Sequence, residues 1–366
     1  MKSLDVNIIY ENPIPQLRSR QAAFPNICQL ADGTLLSAMM IGEAFESADG
    51  ASFLCCSTDG GKTWSAPKRM FDPNQFGRPY SGGSKVTALP DGRVIALGYA
   101  HFREDPEMPV GNPATGGLLD DFVFISFSED QGETWSPLEE VKCAWGPHVE
   151  ASAPFYVLQD GSLITPITGF PAWDGSMTGP DVGRALRSPD LGKTFNDDPI
   201  CMDFGKRVTC YEQRMCQLDS GTIINIGWNE NIETGERMNN HFTASFDNGE
   251  TWTAPVPTGI QGQASSVCAI GGEKLLALHA VRRDTDRPGI YGYVVDFSEK
   301  TWKIVDEALL WEPAVPMIKD TKMAEIFSFL KFGQPMAIKL ADGSILASFW
   351  YAQEGQYRTV CMPVEL

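Results

Sequence analysis

Six times along the chain an apolar run meets a short polar turn and then a second apolar run. The segments are QLADGTLL at 29–36, ALPDGRVI at 88–95, VLQDGSLI at 157–164, QLDSGTII at 217–224, AIGGEKLL at 269–276 and KLADGSIL at 339–346. An Asp-Gly pair between two such runs predicts a β-hairpin, because the turn needs positive φ that glycine adopts without strain. The turns centre on Asp32, Asp91, Asp160, Ser220, Gly272 and Asp342, which lie 52 to 70 residues apart. Six units of one repeating design therefore account for the length.

A second repeat follows the first within the units. It reads STDGGKTW at 57–64, SEDQGETW at 128–135, SPDLGKTF at 188–195 and SFDNGETW at 245–252, with a shortened relic, FSEKTW, at 297–302. In this pattern the Asp carboxylate accepts hydrogen bonds from turn amides, glycine takes a left-handed position and the aromatic ring packs into the sheet. Each unit then reads as strand, Asp-Gly turn, strand, loop, strand, box turn, strand. That is a four-stranded antiparallel blade, and six blades around an axis make an all-β, six-bladed β-propeller. The last unit is one strand short, and the apolar opening at 6–10 is free to supply it. Such closure joins the two ends of the chain in one blade and leaves no exposed sheet edge. No linker or low-complexity tract interrupts residues 1–366, so a single domain is expected.

Composition narrows the function. The 366 residues are 43% apolar, enough for a large core, and carry a net charge of −18. That charge repels nucleic acid and anionic membrane surfaces, so neither is expected as a partner, although a few arginines in a cleft still suffice for an anionic small ligand. The first residues lack a secretory apolar stretch and no window approaches a membrane span, so a soluble cytoplasmic protein is expected. Nine cysteines without a C-x-x-C pair read as free thiols. No His/Asp/Glu run has metal-ligand spacing, and no cofactor is expected.

The four boxes at propeller spacing resemble the sialidase (neuraminidase) superfamily of six-bladed propellers over the whole chain. In that family the boxes do no chemistry and the active site lies on the opposite rim. The resemblance therefore directs attention to the starts of first strands, the ends of second strands and the loops between second and third strands. Eight residues before the unit-four turn stands Glu212, matching the family glutamate that assists the nucleophile. The loop at 43–50 resembles the one that carries the acid/base aspartate, with Asp49 as candidate and Glu43 and Glu46 as rivals. Arg287, ahead of the degenerate box, resembles one arginine of the triad that clamps the sialic acid carboxylate; Arg282 and Arg283 are its rivals.

The sequence also departs from the family. Ala23 stands where the first clamp arginine precedes an apolar-Pro pair, Trp228 where the second belongs, and Gln334 where the tyrosine nucleophile belongs. Glutamine cannot serve as that nucleophile. Other rim positions carry chemistry: Arg78, Tyr80, His101, Arg103, His148, Glu150, Trp173, Asp174, Arg214, Glu230 and Tyr351. The expectation is a glycoside hydrolase that takes a terminal sugar, acidic sugars included, from an oligosaccharide or glycoside substrate. Asp49 is the expected acid, Glu212 the base or its assistant, and His148 a further catalytic group. Arg287, Arg283, Arg214, Arg78, Trp228, Glu150, Gln334 and Tyr351 are expected to bind substrate. A lyase using His148 or Tyr80 against a uronic acid, or a glycan-binding propeller without catalysis, are the alternatives.

Overall fold

Strand and turn alternate as the repeats predict in the computed structural model, which describes every residue except 145, 284 and 315–329. The strands form six antiparallel sheets, and no α-helix occurs among the described residues. Blade 1 runs Gln21–Gln29, Leu35–Gly42, Ala51–Ser57 and Lys68–Arg69 from first strand to fourth. Blade 2 begins with Tyr80–Ala88 and Val94–Phe102, blade 3 with Val149–Glu150, Tyr156–Val157 and Leu163–Gly169, and blade 4 with Tyr211–Gln217 and Ile223–Trp228. Blade 5 begins with Ser265–Gly271 and Lys274–Val281, and blade 6 with Phe332–Lys339 and Ile345–Gln353. Gln356–Glu365 is followed outward by Lys2–Ser3 and Asn7–Tyr10, which pair with it antiparallel. The two ends of the chain thus meet in blade 6, as the missing strand required.

The hairpin glycines Gly33, Gly92, Gly161, Gly221 and Gly343 have φ between 84° and 91°, the conformation for which glycine was read at these turns. Second strands such as Leu35–Gly42 are buried on both faces, because every sheet is sandwiched between two neighbours. Six apolar slabs, one per blade interface, make up most of the core, and two smaller clusters lie around Trp350 and Phe122. Each fully buried Leu or Ile in such a slab contributes about 1.5–3 kcal/mol.

The box turns connect neighbouring blades. In the first, Ser57 Oγ accepts from Gly61 N at 3.0 Å and donates to Asp59 at 2.8 Å, while Asp59 also takes Thr63 N and Thr63 Oγ1. These bonds hold the Asp59 carboxyl down to about 2. Trp64 packs into the interface with blade 6, and Trp135, Phe195, Trp252 and Trp302 each do the same against the blade before their own. The repeat is therefore a device for stacking blades. All of these turns lie at one rim, which leaves the other for chemistry.

Candidate functional site

The first strands of blades 1, 4 and 6 each carry a β-bulge, at Ala23/Asn26, Tyr211/Arg214 and Gly333/Met336. A bulge sets two residues against one and re-aims a side chain. In each case the residue eight before the turn adopts a left-handed backbone: Phe24 at φ 59°, Glu212 at 48° and Gln334 at 44°. Such a conformation costs a non-glycine residue about 1–3 kcal/mol and persists only where its surroundings hold it. Here they do. Glu212 N donates to both carboxylate oxygens of Glu150 at 3.0 Å, and Lys85 Nζ donates to Phe24 O.

These three residues, with Gly83 and Ser152 at the same offset in blades 2 and 3, line a cavity of about 600 Å³. The Glu212 carboxylate is fixed at both oxygens: Gln334 Nε2 donates to Oε1 at 2.6 Å and Trp228 Nε1 to Oε2 at 2.8 Å. Trp350 Nε1 in turn donates to Gln334 Oε1. Glu150 is fully buried; its carboxyl is pushed up to about 7, first by burial and then by the Glu212 charge. Ser152 Oγ donates to Glu150 and accepts from Arg214 Nη1 at 3.1 Å. Arg214 is buried, as is Arg282, whose Nη1 donates to Phe332 O at 2.6 Å and whose guanidinium burial lowers to about 10. Glu46 from the blade 1 loop also lines the cavity, and burial raises its carboxyl above the ordinary range against the opposing pull of Arg103. Tyr99, Phe170, Tyr211 and Trp228 supply aromatic faces.

The expected site residues thus divide. Glu212, Glu150, Arg214, Trp228 and Gln334 meet at the cavity. His148 is outside the cavity lining, its Nδ1 3.1 Å from Asp121 Oδ1, and this carboxylate raises the imidazole pKa. His101 lines the cavity, and burial lowers it. Asp49 is exposed and braces its own loop: Oδ1 accepts Glu43 N at 2.9 Å and Ser47 Oγ at 2.5 Å. The carboxylate of that loop which reaches the cavity is Glu46. Arg287 is exposed and pairs with Glu312 at 3.1 Å; Arg283 lies 3.6 Å from Glu230. The cavity cation from this part of blade 5 is Arg282. Arg78 pairs with Glu104 over the Phe102 ring, and Tyr351 packs against Trp311 and Arg358, both outside the cavity lining. Lys85 was not anticipated. The available signal was a lone charge in the small and apolar strand Tyr80–Ala88, six residues before its turn, as Arg214 is before its own.

A family model for the BNR/Asp-box repeat matches residues 56–66, the first box turn. No curated protein sequence matches the chain. Among solved structures it is similar to a protein of unknown function from Dyadobacter fermentans, 16% identical with a TM-score of 0.75, over 100% of this chain and 99% of that one. It is similar to the Hadza microbial sialidase Hz136, 16% identical with a TM-score of 0.67, over 93% of this chain and 65% of that one. It is also similar to the intramolecular trans-sialidase of Ruminococcus gnavus, 13% identical with a TM-score of 0.62, over 98% and 97%. The shared feature is the fold, which in this chain is a six-bladed propeller.

Proposed function

We propose that the protein is a glycoside hydrolase that removes a terminal sugar, acidic sugars included, from an oligosaccharide. The observation that carries this reading is the Glu212 carboxylate, pinned by Trp228 and Gln334 in a cavity that also holds the Glu150 carboxyl, pushed up to about 7, and the Glu46 carboxyl, raised by burial. Glycoside cleavage needs one carboxylic acid and one carboxylate flanking the scissile bond. A raised pKa keeps a carboxyl protonated and able to donate near neutral pH.

In this reading Glu46 is the acid and gives its proton to the glycosidic oxygen as the carbon–oxygen bond breaks. Glu212 is the base and takes a proton from the water that attacks the sugar carbon. Its negative charge also opposes the positive charge that develops on the ring. Gln334 orients Glu212 and has no nucleophilic role. Arg214 and Arg282, both buried, would hold an anionic substituent, and the aromatic walls would stack on the sugar faces. The sialidase-like fold of the neighbours supports the same class of chemistry.

The test is incubation with sialylated, uronic-acid-containing and neutral oligosaccharides, read by product mass. Products that sum to substrate plus water are expected. Cleavage without added water would replace the reading with a lyase, and retention of a glycan without cleavage would replace it with a binding propeller.

A further inference from the structure

Lys85 is the one lysine buried among the described residues, 6% exposed in the first strand of blade 2. Lysine is seldom buried without a carboxylate partner. Here its Nζ donates to the backbone oxygen of Phe24 in blade 1 and lies 6.0 Å from that residue's ring centroid. It lines the same cavity as Arg214, Arg282, Glu150 and Glu212. Burial, and then the Arg214 charge, hold its amine well below the ordinary lysine range, with Glu212 opposing. Desolvation and a neighbouring cation are the two means by which proteins make a lysine nucleophilic. The Phe24 carbonyl takes one N–H of this amine, and in the neutral form the nitrogen keeps a lone pair.

We propose that Lys85 is a carbonyl-condensing lysine that forms an imine with a small 2-oxo acid bound in the cavity. The nitrogen lone pair attacks the ketone carbon and a carbon–nitrogen bond forms. The two amine protons pass to the carbonyl oxygen, relayed by the cavity carboxyls, and that oxygen leaves as water. The product is a neutral imine, with no change in oxidation state. Arg214 and Arg282 supply the charge that holds the ligand carboxylate, and the Glu150 and Glu212 pair can carry protons in and out. This activity lies beyond glycoside cleavage and does not require it.

The experiment uses pyruvate as the probe at pH 7 with sodium borohydride, whose hydride reduces the imine carbon and locks the bond. The readout is intact mass followed by peptide mapping. One adduct per chain is expected, at Lys85, at least ~10-fold above any other lysine, because exposed lysines are almost wholly protonated at this pH. Lys85→Met, confirmed as folded by its melting transition, should lose the adduct. Absence of an adduct, spread over surface lysines, or an unchanged adduct in Lys85→Met would each overturn the proposal. Mapping on the unaltered protein decides the matter even if the variant fails to fold. Because adduct mass is read without any glycoside, its failure leaves the hydrolase reading intact, and a failed oligosaccharide panel leaves this one intact.

Discussion

Gln334 in blade 6 donates its side-chain amide to Glu212 Oε1 in blade 4 at 2.6 Å, and both residues stand at the same register with a left-handed backbone. The bond joins residues 122 apart and holds the carboxylate in one orientation across the cavity. Glu212→Gln should therefore lower turnover at least ~100-fold, the usual worth of a positioned acid or base. The melting transition of the variant confirms that it is folded, because glutamine can accept only one of the two N–H bonds that Glu212 takes. Steady-state rates on whichever oligosaccharide is cleaved check this, and a rate within twofold of the parent would remove Glu212 from the mechanism.

Two carboxylates in the blade 1 loop make opposite predictions. Glu46→Gln removes the cavity acid and should cut kcat at least ~100-fold, most strongly for substrates with poor leaving groups. Asp49→Ala removes the acceptor that braces Glu43 N and Ser47 Oγ, so it should loosen the loop and raise KM more than it lowers kcat. The reverse pattern would assign the acid to Asp49.

Glu150 makes stability depend on pH. Its carboxyl stands at about 7 in the folded protein against 4.5 when unperturbed, so between these values the folded chain binds more protons than the unfolded one. Its contribution is complete below about 4.5 and is lost as pH rises through about 7, where a second charge must form beside Glu212. Over that window the loss is on the order of 3 kcal/mol. Urea denaturation at several pH values should show the slope, and Glu150→Gln should flatten it. Equal slopes would contradict the assignment.

The box turns should matter for stability and leave catalysis alone. Ser188 is fully buried, accepts Gly192 N at 2.8 Å and donates to Asp190 at 2.9 Å. Ser188→Ala leaves an amide without its acceptor and should cost ~1–3 kcal/mol in denaturant unfolding. The kcat/KM of the variant should match that of the parent; a large loss would mean that the two rims are coupled.

The sequence by itself determined the period, the four-strand blade, the closure by the opening strand and the offset at which Glu212 and Gln334 would be found. These features are local. A hairpin turn or a box turn is specified within about eight residues, and strand register carries its count inward to the bulge. Only the tertiary structure decided which loop residues reach the cavity. Glu46 rather than Asp49, and Arg282 rather than Arg287, line it, because loops have no periodic register to count along. The packing of neighbouring blades likewise set the partners: Glu150 meets the Glu212 amide, and Lys85 of one blade meets Phe24 of another. Burial in that shared interior then raised the carboxyls and lowered the lysine, shifts that no single strand encodes.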